Sequence, residues 1–253
     1  MEIQPTGDRK IKIFAIGYSD NTETNYLLNY FIQNGINIDG AIFSKGQIKR
    51  DWKRLVKKIR MRGYIPALKR ICTNLMVRKR QISKFCHQHI NDVFFVEEIN
   101  SEEVRDILIS NKVELLILTT VHIIEPILID IDRLTILNAH TGWLPKYRGL
   151  DANLKALRDG HQLGLSIHKV TKEIDAGEIY LRESFQIDSN DGDILNTMDE
   201  KELQLSGKLF AKAVDLMRRN MLKPIAQDEP LGKYEPRLTK QQRNKILQDI
   251  KGR

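Results

Sequence analysis

The chain has 253 residues, enough for one large domain or one domain with an appendage, and 41% of them are hydrophobic. Its two cysteines, Cys72 and Cys86, exclude a disulfide framework, and no apolar run approaches the ~18 residues of a membrane-spanning helix. The net charge of +8 is unevenly distributed: residues 45–84 contain fifteen Lys and Arg against one acid, so this segment carries +14 and the remainder −6.

The first ten residues, MEIQPTGDRK, are polar, so we expect no secretory leader and a reduced, cytoplasmic protein. The sequence CHQH at residues 86–89 places two histidines beside a cysteine, which raises the question of a metal centre. The four-ligand spacing of such a centre is missing, so a polar helix end or loop is favoured and no metal site is predicted.

Apolar runs that alternate with helix signals predict an α/β fold with a mostly parallel sheet. The predicted strands lie at 10–17, 36–43, 93–96, 113–118, 134–137, 163–170 and 178–187. The predicted helices lie at about 22–34, 101–110, 123–129, 150–159, 193–220 and 239–251. The first turn contains no Gly-x-Gly-x-x-Gly sequence, so the chain offers no support for a dinucleotide site.

A basic insert at 45–90 separates the second and third predicted strands. Apolar residues at helical spacing on both sides of Gly63 predict two amphipathic helices with basic outer faces. The plainer interpretation is a solvated helical hairpin that packs on the domain. The functional interpretations are contact of 45–84 with an anionic membrane leaflet, with nucleic acid or with substrate phosphates. Among these we favour the membrane surface, because aromatic residues do not alternate with the charges as nucleic-acid binding requires.

The stretch 134–149, LTILNAHTGWLPKYRG, predicts a site most clearly. Residues 134–137 are predicted to form a buried strand, and Asn138 and His140 follow at its end. Open α/β sheets build their sites at the carboxyl ends of strands. Because Asn138 and His140 are two residues apart, they point to the same side of an extended chain. A hydrogen-bond donor and an acid/base group are therefore predicted to face one crevice.

A second polar position, Asp175, precedes a small-residue turn that leads into the strand at 178–187. The succession Asn138-x-His140, then Leu144-Pro145-x-x-Arg148-Gly149, then Asp175-x-Gly177 resembles the folate-dependent formyltransferase family. Within that family it is most similar to the nucleotide-sugar N-formyltransferases. The resemblance extends over about 10–222 and is closest at 136–180.

The resemblance implies a Rossmann-like formyltransferase fold in which 1–222 is the catalytic domain, 45–90 is the insert and 223–253 is a short C-terminal extension. N10-formyltetrahydrofolate is the implied formyl donor, and the amine of a nucleotide-linked amino sugar is the implied acceptor. Asn138 and His140 are then expected to stabilise an oxyanion, and Asp175 to orient His140 or relay a proton. Leu144–Pro145 is expected to be a cis bond.

Further site residues follow from the same resemblance. The residues expected to line the cofactor pocket are Thr119, Thr120, His122, Thr141, Gly142 and Lys172. The residues expected to contact the acceptor are Lys146, Tyr147 and Arg148. His168 lies inside a predicted strand, and because a lone strand histidine is most often structural, it is left out of the catalytic set.

Four functions are compatible with the resemblance. A sugar N-formyltransferase for surface glycan biosynthesis is preferred, and a homodimer is expected for it. A phosphoribosylglycinamide formyltransferase is less favoured, because GYSDNTET after the first strand lacks a glycine-rich phosphate loop. The third function is that of a formyltetrahydrofolate hydrolase, and the fourth is that of a membrane-surface adaptor on an inactive formyltransferase fold.

The tail bears on the choice of partner. The family's transfer-RNA branch usually carries a further β-barrel domain, for which a thirty-residue tail is too short, so no nucleic-acid partner is expected. We instead predict a hairpin and a terminal helix in the tail.

Overall fold

The computed structural model describes residues 9–19, 21–44, 89–188, 193–227 and 234–251. The two helices predicted for the basic insert lie outside these residues, as does the turn predicted at 189–192. None of the helices in the described residues combines the length and the apolar composition of a membrane-spanning segment. The chain divides into two compact units, residues 12–134 and residues 135–253 together with 1–11.

The unit at 12–134 contains four parallel strands in the order β3-β2-β1-β4. These strands are β1 (Ile13–Tyr18), β2 (Gly40–Ser44), β3 (Asp92–Val96) and β4 (Leu115–Leu118). The helices are α1 (Thr22–Gln33), α2 (Glu102–Ser110) and α3 (Pro126–Ile129). Every residue of β1, β2 and β4 is buried, which explains why these strands are nearly continuous apolar runs in the sequence.

The unit that includes 135–253 contains three antiparallel strands in the order β5-β6-β7. They are β5 (Thr135–His140), β6 (Leu163–Lys169) and β7 (Ile179–Phe185). The helices are α4 (Ala152–Arg158), α5 (Ile194–Arg218) and α6 (Lys240–Lys251). Helix α5 packs against β6 and β7, and α6 packs against α4. Leu154, Met198, Leu238 and Ile246 form a buried cluster that joins α4, α5 and the C-terminal segment.

The predicted fold class is confirmed. Of the five strand pairings within the units, three are parallel and two are antiparallel. The predicted terminal helix is present as α6. The described residues of the tail that form β-bridges pair outside it, Ile225 with Ile179 and Tyr234 with Arg148.

Several boundaries differ from the prediction, and three of these differences have a visible physical reason. The strand predicted at 36–43 begins only at Gly40, because the Asp39 carboxylate accepts the Ile13 N–H at 2.8 Å. The helix predicted at 123–129 begins at Pro126, since the Asn100 side chain binds the Ile123 carbonyl at 2.9 Å and the Glu125 N–H at 3.0 Å.

The third difference concerns the site. The strand predicted to end at residue 137 continues as β5 to His140. The reason is its antiparallel partner β6, in which His168, Ile167 and Ser166 pair with residues 138, 139 and 140. Asn138 and His140 therefore lie inside a paired strand, in the extended conformation that their prediction on one side of the chain requires.

Candidate functional site

The register between β5 and β6 brings two polar residues together across the sheet. Asn138 lies opposite His168, and its Nδ2 is 3.1 Å from His168 Nε2. His140 lies opposite Ser166, and the His140 and His168 rings have centroids 6.2 Å apart in an edge-on arrangement. One face of this strand pair thus presents an amide and two imidazoles.

The loop between β6 and β7 adds a carboxylate to this face. Asp175 Oδ2 is 3.4 Å from His140 Nδ1, and its Oδ1 is 3.5 Å from His168 Nε2. The Gly149 N–H donates to Oδ2 at 2.8 Å. The Asp175 side chain is only 12% exposed, so these neighbours replace most of its contact with water. The three residues predicted to be catalytic, Asn138, His140 and Asp175, are thus gathered in one cluster together with His168.

The hydrogen bonds of His140 define where its protons lie. Its Nε2 is 2.7 Å from the Tyr147 carbonyl oxygen, and because a carbonyl only accepts, Nε2 must carry a proton. Its Nδ1 faces the Asp175 carboxylate, with 3.4 Å between Nδ1 and Oδ2. His140 and Asp175 therefore form an imidazole–carboxylate pair. Such a pair can accept a proton from a substrate or donate one to it.

His168 sets the orientation of the Asn138 amide. Burial above all, and then the nearby His140, lower the pKa of His168 to about 4, against the opposing effect of Asp175. His168 is therefore neutral at pH 7, with the proton on Nδ1, which donates to the Lys169 carbonyl at 2.9 Å. Its Nε2 then accepts one N–H of Asn138 and leaves the other N–H available to a ligand.

His168 was missed by sequence reasoning, which treated it as structural. Ser166, two residues before it, is also buried, so polar residues alternate with apolar ones along this buried strand and fall on one face. That period-two pattern in the sequence is the signal that could have identified this face.

Two glycines permit the close packing of this cluster. A Cβ on Gly142 would lie 2.6 Å from both His140 Nε2 and the Ala152 Cβ. A Cβ on Gly177 would lie 2.0 Å from the Lys169 carbonyl oxygen. A side chain at residue 142 would displace His140, and a side chain at residue 177 would displace the Asp175 loop. Both positions therefore require glycine, because neighbouring atoms approach the backbone too closely for a Cβ.

The loop after β5 is fastened by side chains of β6 and β7. Leu144–Pro145 is a cis bond, as predicted. The Ser166 hydroxyl donates to the Gly142 carbonyl at 2.7 Å and accepts the Leu144 N–H at 3.1 Å. Arg182 donates to the Leu144 carbonyl at 2.7 Å and stacks over the Trp143 ring. These contacts fix the path of the chain between His140 and Gly149.

The three residues predicted to contact the acceptor have partners within the protein. Lys146 Nζ is 3.0 Å from His161 Nε2. Tyr147 is buried, and its hydroxyl donates to Asp159 at 3.0 Å and also bonds to His161. Arg148 Nε donates to the Ile174 carbonyl at 3.0 Å. These contacts give the three residues a role in holding the loops, and their contact with an acceptor stays a prediction.

The residues predicted to line the cofactor pocket fall into both units. Thr119 is buried and donates to the Ile16 carbonyl at 3.0 Å, while Thr120 accepts from Asn21 at 3.0 Å. His122 Nδ1 is 2.6 Å from the Tyr18 hydroxyl.

The other three belong to the unit that contains the cluster. Thr141 and Gly142 directly follow β5, and Lys172 is an exposed residue of the loop that carries Asp175. Their contact with a cofactor also stays a prediction. Among the described ranges, no group of three or more His, Cys, Asp or Glu side chains is placed to hold a metal ion.

In this α/β fold, an amide, two imidazoles and a carboxylate in one cluster form a candidate site whose groups can donate and accept protons. The sequence pattern of the formyl transferase family matches residues 59–214, more than half of the chain. This chain belongs to the formyl transferase family, and the family predicted from the sequence is confirmed.

Curated relatives of similar sequence include methionyl-tRNA formyltransferases. A methionyl-tRNA formyltransferase from Natranaerobius thermophilus is 30% identical over 154 residues, which are 59% of this chain and 48% of that protein. The chain spans about half or less of the length of the curated relatives it matches.

Solved structures share the fold over most of the chain. A sugar N-formyltransferase from Shewanella sp. superposes with a TM-score of 0.60 at 15% identity, covering 95% of this chain and 87% of that one. A 4-N formyltransferase from Francisella tularensis superposes with a TM-score of 0.57 at 17% identity and the same coverage. At these identities the likeness concerns the fold.

Proposed function

We propose that this protein moves the formyl group of N10-formyltetrahydrofolate to the amine of a nucleotide-linked amino-deoxysugar, a UDP- or dTDP-sugar used in surface glycans. Membership of the formyl transferase family supports the reaction, and the fold shared with a sugar N-formyltransferase over 95% of the chain supports the acceptor. The observation that carries the proposal is the Asp175 carboxylate, held by the Gly149 N–H beside His140 and lying 3.5 Å from the His168 ring that binds Asn138.

The donor set of the cluster fits a formyl group. N10-formyltetrahydrofolate would supply an electrophilic carbon whose oxygen gains negative charge when an amine attacks. The second N–H of Asn138 and the imidazole of His140 are the groups that can stabilise this charge. His140 Nε2 is already engaged with the Tyr147 carbonyl, so only its Nδ1 side can serve a ligand.

Asp175 provides the acid/base function. The attacking amine must lose a proton and the leaving nitrogen must gain one. The Asp175–His140 pair can take the proton that the amine loses and return one to the leaving nitrogen. The Gly149 N–H keeps the carboxylate next to His140 during this exchange.

A second acceptor is favoured by a specific observation. Curated relatives that match this sequence include methionyl-tRNA formyltransferases, so transfer to the amine of a charged tRNA is the second candidate function. Phosphoribosylglycinamide formylation, formyltetrahydrofolate hydrolysis and the membrane-surface adaptor rank below it. All except the adaptor use the same cluster, so the choice among them concerns the acceptor and not the site.

A formyl-transfer assay distinguishes these functions. Formation of tetrahydrofolate from N10-formyltetrahydrofolate is followed with UDP-, dTDP- and GDP-linked amino sugars, methionyl-tRNA, glycinamide ribonucleotide and water as acceptors. We expect turnover on one amino sugar. Asn138→Ala and His140→Ala should each lower kcat by about 10²–10³, the typical effect of losing one donor to a developing oxyanion.

The control is His89→Ala, which removes an exposed histidine and should leave turnover unchanged. Turnover only on methionyl-tRNA, on glycinamide ribonucleotide or with water would reject the sugar acceptor and retain the site. Absence of turnover with every acceptor would reject an enzymatic function and would support a membrane-surface adaptor on an inactive formyltransferase fold.

A further inference from the structure

Asp175 adopts a backbone conformation that requires external support. Its φ of 53° lies in the left-handed region, where residues other than glycine are uncommon and are retained when surrounding contacts hold them. The carboxylate position depends on this conformation, because Asp175 lies in the loop between β6 and β7 and not within a strand. The contacts that hold this loop therefore decide where the carboxylate stands relative to His140.

Three carbonyl groups of this loop are bound by side chains from elsewhere in the chain. Arg148 Nε donates to the Ile174 carbonyl at 3.0 Å. Gln227 Nε2 donates to the Asp175 carbonyl at 3.0 Å and to the Gly177 carbonyl at 2.6 Å. The two hydrogens of one amide group thus bridge the residues on either side of Ala176. This bridge spans the turn that sets the left-handed φ of Asp175.

The position of Gln227 is itself fixed by the backbone. Ile225 and Ile179 exchange two hydrogen bonds of 2.7 and 2.8 Å, so the chain before Gln227 is attached to the first residue of β7. Gln227 Oε1 is buried and has no hydrogen-bond partner among the described residues. The Gln227 side chain thus acts as a hydrogen-bond donor, and its amide nitrogen makes both bonds to the loop that carries Asp175.

We propose that Gln227 is a positioning residue for Asp175, an inference that rests on the formyl transfer proposed above. Its amide holds the Asp175 and Gly177 carbonyls and so keeps the carboxylate between the Gly149 N–H and His140. The C-terminal extension then contributes to the site through a residue that does not touch the reacting atoms. No motif marks Gln227 in the sequence, since it lies 52 residues from Asp175.

Three substitutions separate the donor function from the volume of the side chain. Gln227→Met keeps the length of the side chain and removes both N–H groups. Gln227→Glu keeps the shape, removes the donors and adds a negative charge next to two carbonyl oxygens. Gln227→Asn retains the amide but is one methylene shorter. The matched control is Gln248→Glu, which makes the same change at an exposed position of α6.

The first measurement reports the position of Asp175 without any turnover. The Gly149 N–H is protected from hydrogen exchange by the Asp175 carboxylate, so its exchange rate in the full-length protein follows the position of that carboxylate. We expect exchange at Gly149 to become at least about tenfold faster in Gln227→Met and Gln227→Glu, as local opening of the loop becomes easier. It should change less in Gln227→Asn and not at all in Gln248→Glu.

The second measurement is steady-state kinetics on the same variants. Misplacement of a catalytic group by about 1 Å can cost about 10²-fold in rate, so kcat should fall by about 10- to 100-fold in Gln227→Met. KM for the formyl donor should stay within about twofold, because the loss falls on the reacting geometry and not on binding. Unchanged Gly149 exchange in the folded variants overturns the proposal, as does a rise in KM with constant kcat.

These outcomes are distinct from failure of the proposed function. If the wild-type protein transfers no formyl group to any acceptor, the proposed function fails and the exchange measurement still decides the role of Gln227. Should Gln227→Met not fold, Gln227→Glu and Gln227→Asn provide the same comparison.

Discussion

At the scale of single residues, the charge state of His168 determines which groups of Asn138 are available to a ligand. A protonated His168 would place a donor against the Asn138 amide nitrogen, which is also a donor. The amide would then have to turn, or the contact would be lost. Burial lowers the pKa of His168 to about 4 and thereby keeps the neutral imidazole against the amide at pH 7.

The same pKa shift predicts how stability depends on pH. In the unfolded chain a histidine titrates near 6.5, whereas the pKa of His168 in the folded protein is about 4. Between these values only the unfolded chain binds the proton, so the free energy of unfolding is highest above pH 6.5 and falls as the pH drops toward 4. A shift of this size corresponds to about 3 kcal/mol.

His168→Gln removes this titrating group. The fall in the free energy of unfolding between about pH 7.5 and about pH 4.5 should therefore be smaller in this variant, by about 3 kcal/mol. The test is urea unfolding at about pH 7.5 and about pH 4.5, with the exposed histidine variant His89→Gln as the control. Identical pH dependence in the wild type and in His168→Gln would show that His168 is not held neutral by the fold.

At the scale of elements, the C-terminal helix depends on its attachment. Helix α6 has 12 residues, a length at which isolated helices are marginal in water. Two buried side chains, Leu238 and Ile246, join it to Leu154 and Met198. A polar attachment completes the contact, since the Asp151 carboxylate accepts the Leu238 N–H at 2.9 Å and also pairs with Arg243.

Asp151→Gly tests this attachment. Asp151 has a φ of 60°, a conformation that glycine adopts without strain, so the substitution removes the carboxylate while relieving the backbone. We expect a loss of about 1–3 kcal/mol of stability, because Arg243 and the Leu238 N–H lose a buried acceptor. Amide exchange across 240–251 should become faster, as measured by mass spectrometry. Asp249→Asn, at an exposed position of α6, is the control for loss of an acid; exchange equal to that of Asp151→Gly would contradict the attachment.

At the scale of the whole molecule, the distribution of charge separates a basic segment from an otherwise acidic chain. Residues 45–84 carry +14 and the remainder −6. Each basic residue near an anionic bilayer contributes about 1 kcal/mol of attraction, and salt screens this effect. Contact of 45–84 with an anionic membrane surface therefore stays a prediction that can be tested independently of the site, as does the homodimer.

Sedimentation with vesicles tests the membrane prediction. We expect the full-length protein to sediment with phosphatidylserine-containing vesicles at low salt, and to lose this binding at high salt or when the Lys and Arg of 45–84 are replaced by Gln. Vesicles of neutral phosphatidylcholine are the control, and formyl transfer should be unchanged by the replacement. Equal sedimentation with both kinds of vesicle, or with neither, would favour the solvated hairpin.

The sequence by itself determined most of the elements and two of the residues of the cluster. Buried strands such as β1 and β4 are continuous apolar runs, and the cap of α2 at Ser101 follows from local hydrogen bonding. Asn138 and His140 were assigned to one side of the chain by the period of a strand, which is a local property. Asp175 was added by resemblance to a family, because nothing in its own neighbourhood distinguishes it from a turn residue.

Only the tertiary structure decided which partners these residues have. The antiparallel register of β5 and β6 places His168 opposite Asn138, and a periodic pattern reports the faces of a strand but not its pairing. Gly149 and Gln227 reach Asp175 across 26 and 52 residues of sequence. Such contacts arise where separate loops meet, and their geometry is set by the packing of distant elements and not by the residues next to them in the chain.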